Sequence, residues 1–427
     1  MSVATVHSPV RPLLPSRVGH GRLPLAGGMR AGHWVFASGL LPSAFGSEAR
    51  PLSGAPRWTS QFESLWTRAE AVLRAGGTDL TRLVRADQFF TDWRAVPFFH
   101  EVRRQACGQF IAPSTSVLEA GLLLPRAAVT MNLCAVAADG PVITRLYPPG
   151  LEVPATSSFI PVVQAAGLVF VAGLMAAWKE GDLGGIAPEA KVPEGHLWKG
   201  NRIQLETGYL VRRKLQVALE GAGLSLDRVV KADVFLADVN DLPAFNQVWA
   251  RTFGGKLPAT TVTVTSQPGF AISDARLEIN LVAACDAIKV ERIEAPFARG
   301  ATCDGYPVAV RAGDLLFFSG LVASDADGLV EAARVDSEEP YFASSIEAQM
   351  AYLLDLADAA CRQAGTRLEN VVRIQQAHTC LQDFHAACRQ WQARLPGHDL
   401  PISAVQVPAP LPVPGCTVQL DLVVYAP

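Results

Sequence analysis

VVKADVFLADVNDLPAFN, residues 229 to 246, runs from an apolar strand pattern into a helix opened by Asp241, Leu242 and Pro243. The same stretch occurs twice more: LVRADQFFTDWRAVPFFH (83 to 100) and VVRIQQAHTCLQDFHAAC (371 to 388) align with it position by position, without a gap. Self-similarity at such spacing marks a repeated structural unit. Outward toward the N-terminus, each copy is preceded by a short apolar strand closed by a small residue and glycine: WVFASG (34 to 39), LVFVAG (168 to 173) and LLFFSG (315 to 320). Between the two lies a helical stretch with a glycine stop. The first starts at Gln61 and aligns Phe62, Leu65, Trp66, Ala69, Val72 and Leu73 before Gly77; the third starts at Gln349 and aligns Met350, Leu353, Leu354, Ala357, Ala360 and Cys361 before Gly365. These are the i, i+3, i+4, i+7 positions of an amphipathic helix. The middle copy, Thr207 to Gly223, carries a weaker stripe.

Each unit therefore reads as strand, strand, helix, strand, helix, strand, strand, beginning in VITRLY (142 to 147) or IKVERI (288 to 293). Asp241 and Asp383 are expected to cap the second helices, because a carboxylate satisfies free amides and proline fits the first turn. Pro-rich joints after residues 147 and 293 place boundaries near 140 and 287. Two helices cover one face of each sheet, so the other face must be buried, and the sister units in the same chain are the available partners.

Composition narrows the function. Of the 427 residues, 40 are acidic and 37 basic, with no like-charge block, which disfavours nucleic acid as a partner. The longest apolar stretches, such as 168 to 178, fall short of the ~20 residues that span a bilayer. The N-terminal segment is broken by prolines and glycines and carries no apolar run of the signal-peptide kind, so a cytoplasmic protein is expected. The eight cysteines include no CxxC pair and are expected to be reduced and inert. His378, Cys380, His385 and Cys388 match no zinc spacing, so no metal and no cofactor are expected.

The pattern of a glycine-bounded strand, a helix ending in Ala-Gly, VVKADVFLADVNDLPAFNQVWARTF, LPATTVTV and RLEINLVA resembles the YjgF/RidA (Rid) family, most closely over residues 155 to 286. The resemblance implies an α+β chain of three chorismate-mutase-like domains, residues 1–139, 140–287 and 288–427, each a mixed sheet covered on one face by two helices. Together they would form an intramolecular pseudo-trimer whose clefts lie between domains. It implies hydrolysis of reactive enamines or imines to a carbonyl compound and ammonia. The family's anchor arginine on the fifth strand is replaced by Thr115, Thr260 and Ser403. Losing a bidentate, charge-assisted contact lowers affinity by a factor of about 100 or more, so small 2-aminoacrylate-type acids are poor candidates. A larger or neutral substrate, or one held by another basic residue, fits better.

Family-like polar residues concentrate in the middle unit. Glu278 is expected to be the acid/base, with counterparts Thr130 and Gln419. Asn246 matches the family asparagine, facing His100 and Cys388 in the sister copies, and Tyr306 of the third unit is expected to complete the same cleft with Thr260. Arg276, Arg126, Arg30 and Arg311 are the alternative cations considered, and Arg276 is the one placed at the site. The long loop 176 to 200, with Trp178, His196 and Trp198, is a candidate lid over a bulky ligand. The first unit has no lysine and the third only Lys289, so a lysine nucleophile is confined to the middle unit, with Lys256 nearest the anchor segment. Two other readings stay open: a cyclase or condensation enzyme of a specialised biosynthetic pathway, and a non-catalytic ligand-binding protein.

Overall fold

The computed structural model describes residues 9–18, 23–45, 55–151, 159–178, 185–195, 200–294, 305–335, 338 and 344–427. The chain is mixed α+β. Its first sheet has the order Val10–Val18, Leu23–Ala31, Trp34–Leu40, Val129–Val136, Leu83–Phe90, Ser114–Leu118. The second runs Ile143–Leu146, Val162–Ala165, Leu168–Leu174, Leu277–Ala284, Val229–Leu236, Ala259–Val264. The third repeats this with Val290–Ile293, Ala309–Ala312, Leu315–Phe318, Val418–Tyr425, Val371–His378 and Ile402–Gln406, then adds Gly121–Leu122 from the first repeat at its edge. In every sheet the strands before and after the second helix pair in parallel and the others antiparallel. Among the described residues no helix is long and apolar enough to cross a membrane.

Each repeat has one more strand than the sequence pattern suggests. Val162–Ala165 forms a hairpin with Leu168–Leu174 through a tight turn at Ala166 and Gly167, both at positive φ. Four residues and a turn without Asn-Gly leave little periodic signal. The helices Ala55–Ala75, Arg202–Leu210 and Ser345–Gln363 begin several residues before the expected starts. Asn201 caps the middle one by accepting from the amides of Ile203 and Gln204. Neither Asp241 nor Asp383 caps its helix by a side-chain hydrogen bond. A 3₁₀ turn precedes each second helix, so the chain is already helical there; Asp92 and Asp238, at the start of that turn, accept from the amides of Arg94 and Asn240 instead.

Helices cover one face of each sheet, and the other is apolar apart from a central polar belt and polar groups such as Glu278 where the sheets meet. At the start of each central strand one extra residue is inserted, between Leu83 and Arg85, Val229 and Lys231, and Val371 and Arg373. Such a bulge re-aims the side chains that follow it. Val84, Val230 and Val372 join Trp34, Phe170 and Phe317 in one apolar cluster drawn from all three sheets. Phe89, Phe235 and Ala377 join a second shared cluster. Between these layers lie Arg85 and Asp87, Lys231 and Asp233, and Arg373 with Asp421.

That belt joins the sheets by charge. Arg85 pairs with Asp87 at 2.9 Å and reaches Asp233 of the second sheet at 2.6 Å. Lys231 lies 3.2 Å from Asp233 and 2.8 Å from Asp421 of the third sheet, and also donates to Thr261 Oγ1 and to the Phe318 carbonyl. Arg373 lies 3.4 Å from Asp421, and Asn132 of the first sheet donates to Gln375 of the third at 2.7 Å. Burial alone would raise Asp233, but Lys231, Arg85 and Arg373 outweigh it and hold its carboxyl well below the usual range. Burial opposes charge on Arg85 too, and Asp87 and Asp233 overcome it, raising its pKa.

A second constraint fixes each first helix to the last strand. Gln61 accepts from the Ala128 amide and donates to the Arg126 carbonyl; Gln349 accepts from the Thr417 amide and donates to the Gly415 carbonyl. In the middle repeat this position is Glu206, which accepts from the amides of Arg276 and Leu277 and has no N–H of its own to give. The helix reaches it through a π-helical segment, Val211–Leu215, which absorbs one extra residue and explains the weaker stripe. Burial pushes Glu206 up to about 7, against the amide hydrogen bonds that lower it.

Two stability outcomes follow from these contacts. Replacing Arg85 by Met strands Asp87 and part of Asp233 and should cost about 3–5 kcal/mol in urea unfolding, whereas Arg74→Met, at an exposed pair with Glu70, should cost less than about 0.5 kcal/mol. Glu206 binds its proton more tightly folded than unfolded, so its contribution is complete below pH ~4 and is lost as pH rises toward 7. Glu206→Gln should match wild type near pH 4 and exceed it by about 2–3 kcal/mol at pH 8, measured by unfolding at both values.

Candidate functional site

The expected site residues divide between two clefts. Tyr306 Oη donates to Asn246 Oδ1 at 2.5 Å, and Thr260 and Tyr306 line one depression with Leu242, Val262, Gly320 and Gln419. Tyr306 packs into the helix-side core of the second sheet although it leads into the strands of the third. Glu278 does not join them. Leu277 and Ile279 face the helices, so Glu278 points to the opposite face, away from Thr260, whose hydroxyl accepts from Trp249 Nε1 at 3.3 Å. The carboxyl place in the Tyr306 cleft is taken by Gln419, whose amide donates to the Val262 carbonyl at 3.0 Å.

Sheet register also moves the anchor position. Ser114, Thr260 and Ile402 stand at one level, opposite Ala86, Ala232 and Ile374; Thr115, Thr261 and Ser403 share the next. Pairing thus shifts the middle copy by one residue relative to its proline, and Thr261, not Thr260, is the partner of Thr115. Thr261 is spent on the central belt, donating to Asp421 at 2.7 Å.

Glu278 sits where the first and second sheets meet. Its carboxyl accepts from the Ser116 backbone amide on the free edge of Ser114–Leu118. Beside it Asn280 donates to Thr115 Oγ1 at 2.9 Å, and both Glu278 and Thr115 crowd Gly173. A Cβ at Gly173 would lie 1.9 Å from Glu278 Oε1 and 2.7 Å from Thr115 Oγ1, so only glycine admits the carboxyl. Phe159 and Ala172 of the second repeat close this cleft against the helix-side core of the first. Burial pushes Glu278 up to about 8, with Asp87 adding to the rise and the Ser116 amide opposing it. The residue is therefore an un-ionised acid at neutral pH, not the solvated edge carboxylate its position on a strand also allows.

The first repeat supplies the other wall. Ser116 Oγ donates to Gln88 Oε1 at 2.8 Å, and Arg103 donates from Nη1 to Ser114 Oγ at 3.2 Å. His100, level with Asn246 in the repeat, is pushed down to about 3 by burial and by Arg103 and Arg104, so it is neutral. Ser116, Gly173 and Arg103 escape the sequence pattern: the first acts through its backbone, the second through a vacancy, and the third replaces a buried tryptophan.

The remaining expected residues lie elsewhere. Arg276 is held by Asp241 at 2.5 Å and Asp238 at 3.4 Å. Arg30 and Arg311 brace backbone carbonyls at Gly76 and at Ala364, and Arg126 stacks on Phe45. Trp178 is a half-exposed loop residue beside the Ala177–Ile186 bridge; His196 and Trp198 lie outside the described residues. Lys256 is exposed, whereas Lys231 of the central belt and Lys214 are buried. Among the described residues no group of His, Cys, Asp and Glu could hold a metal, and His378 is buried against Gln376, with its pKa pushed down to about 4 by desolvation.

The chain is similar to several known proteins. A model of the family described as Endoribonuclease L-PSP matches residues 151–285. Mitochondrial protein mmf2 of Schizosaccharomyces pombe is 30% identical over 122 residues, covering 29% of this chain and 83% of the relative. Protein HMF1 of Saccharomyces cerevisiae is 30% identical over 115 residues, 27% of this chain and 77% of the relative. The crystal structure of yeast Mmf1 aligns over 34% of this chain and 100% of its own, at 25% identity and a TM-score of 0.26. A chorismatase crystal structure aligns over 81% of this chain and 93% of its own, at 11% identity and a TM-score of 0.47. The chain belongs to the YjgF/RidA family.

The close approach at Gly173 is directly testable. Gly173→Ala should destabilise by about 1–3 kcal/mol through overpacking. Most of that loss should vanish when Glu278 is shortened to Ala, so a double-mutant cycle by thermal unfolding should give a coupling of about 1 kcal/mol or more.

Proposed function

We propose that the three repeats, residues 1–139, 140–287 and 288–427, are Rid-like domains joined as a covalent pseudo-trimer, and that the cleft between the first two hydrolyses an enamine or imine of a small molecule. The observation that carries this reading is Glu278: a buried, un-ionised carboxyl, its pKa pushed up to about 8, placed across a unit boundary beside Thr115, the Ser116 amide and Gly173. An acid with a pKa near the working pH both gives and takes a proton efficiently.

The chemistry balances with Glu278 alone as the proton carrier. Its carboxyl protonates the imine nitrogen, or the β-carbon of an enamine, and generates an iminium ion. Water attacks the iminium carbon while the Glu278 carboxylate accepts a proton from that water. The same proton is returned to nitrogen, the carbon–nitrogen bond breaks as the hydroxyl gives its proton to the Glu278 carboxylate, and ammonia leaves with the carbonyl product and the acid restored. The Ser116 amide steadies the carboxylate at the moment it is charged. An RNA substrate, as the family model's description names, would call for a basic surface that 37 basic against 40 acidic residues do not supply.

Ammonia release from 2-imino acids, generated in place by an amino-acid oxidase, tests the reading. Wild-type protein should accelerate release over buffer, Glu278→Gln should remove about 10² or more of that acceleration with the fold retained, and kcat/KM should fall as pH rises above about 8. Full activity in Glu278→Gln would overturn the proposal.

A further inference from the structure

One buried position differs in chemistry among the three repeats. Glu119, Thr265 and Val407 each directly follow the strand after the second helix, and each donates its backbone N–H to the matching carbonyl, of Phe90, Leu236 and His378. All three are buried, Glu119 at 2% exposure. Thr265 satisfies its hydroxyl on the Leu236 carbonyl, and Val407 has no polar side-chain atom to satisfy. Glu119 has two carboxyl oxygens, and neither has a hydrogen-bond partner among the described residues. The sister repeats fold with threonine or valine here, so the carboxyl is not a requirement of the fold.

Glu119 lines a cavity where the three sheets meet. Phe89, Phe235 and Ala377, one from each central strand, form part of its wall, and the missing third ring leaves a volume of about 20 Å³, enough for a water-sized group. The central belt forms another part, and its charges are already matched. Arg85, Lys231 and Arg373 are spent on Asp87, Asp233 and Asp421. Glu119 is a fourth carboxyl with no ion pair among the described residues, and burial raises it well above the usual carboxylate range. What the cavity lacks is therefore one positive charge. An anion would add a second uncompensated negative charge, and water would leave the carboxyl un-ionised. A hard metal cation takes about six or more oxygens, and among the described residues no group of His, Cys, Asp and Glu could hold one. Ammonium is close to water in size and needs only hydrogen-bond acceptors, which the two free oxygens are.

We propose that Glu119 and this cavity form a binding site for ammonium. On binding, the Glu119 carboxyl releases its proton to solvent, and the carboxylate left behind accepts N–H hydrogen bonds from the ion, which keeps its own protons. Below the raised pKa of Glu119 that ionisation opposes binding, so affinity rises with pH.

Isothermal titration calorimetry with ammonium chloride tests the site, run in two buffers of different ionisation enthalpy, with potassium chloride and tetramethylammonium chloride as controls at equal ionic strength. Wild-type protein should bind ammonium at one saturable site, release protons on binding, and bind more tightly as pH rises. Potassium has no N–H to donate and should bind at least about tenfold more weakly; tetramethylammonium is too large for the cavity and should not bind. Glu119→Gln, Glu119→Thr and Glu119→Val should each lower ammonium affinity at least about tenfold with cooperative unfolding retained, the last two carrying the residues of the sister repeats. No saturable binding in wild type, equal affinity for potassium, or unchanged affinity in any folded variant overturns the proposal. Ammonium is supplied directly, so each outcome is independent of whether Glu278 is catalytic.

Discussion

The inner faces of the three sheets are held in register by buried ion pairs. Arg85 to Asp233 and Lys231 to Asp421 each cross from one sheet to the next, and the Asn132–Gln375 hydrogen bond makes the third crossing. Apolar layers above and below can slide with little change in burial, because hydrophobic attraction is non-directional. A lysine among Asp233, Asp421, Thr261 and the Phe318 carbonyl cannot. Moving it would strand charges in a medium where each costs several kcal/mol. The bulges at Val84, Val230 and Val372 turn these cations inward, so a local irregularity in one strand becomes the device that aligns three sheets.

From that alignment the clefts inherit their differences. In each repeat the strand that follows the second helix faces the next repeat: Ser114–Leu118 meets Gly173 and Glu278, Ala259–Val264 meets Gly320 and Gln419, and Ile402–Gln406 meets Gly39, whose Cβ would lie 2.4 Å from the Ile402 carbonyl. The first boundary holds an un-ionised acid and serine hydroxyls. Among the described residues, the depression at the second is lined by neutral groups such as Thr260, Tyr306 and Gln419. The third is bridged by backbone hydrogen bonds from the Ala26 amide to the Leu400 carbonyl and from the Leu400 amide to the Pro24 carbonyl, and carries Thr130 in the carboxyl position. In a single covalent chain each boundary carries its own residues.

Much of this was legible in the sequence. The repeats appear because strand and helix periods recur in alignment, and the burial of Phe62, Leu65 and Trp66 or of Met350, Leu353 and Leu354 follows the stripe closely. Glu278 was visible as the one carboxylate at its position. What escaped depended on tertiary context. Which neighbour an edge strand meets is set by packing, so the sequence grouped Glu278 with Asn246 and Thr260 when it belongs across the other boundary. The one-residue shift of Thr260 arises from pairing register.

The most direct test of the division between clefts is a crystal structure of the protein soaked with 2-oxobutyrate. The account predicts ligand density at the first boundary, with the keto oxygen within hydrogen-bonding reach of Glu278. Density confined to the cleft of Tyr306, Asn246 and Gln419, with the Glu278 cleft unchanged, would contradict it.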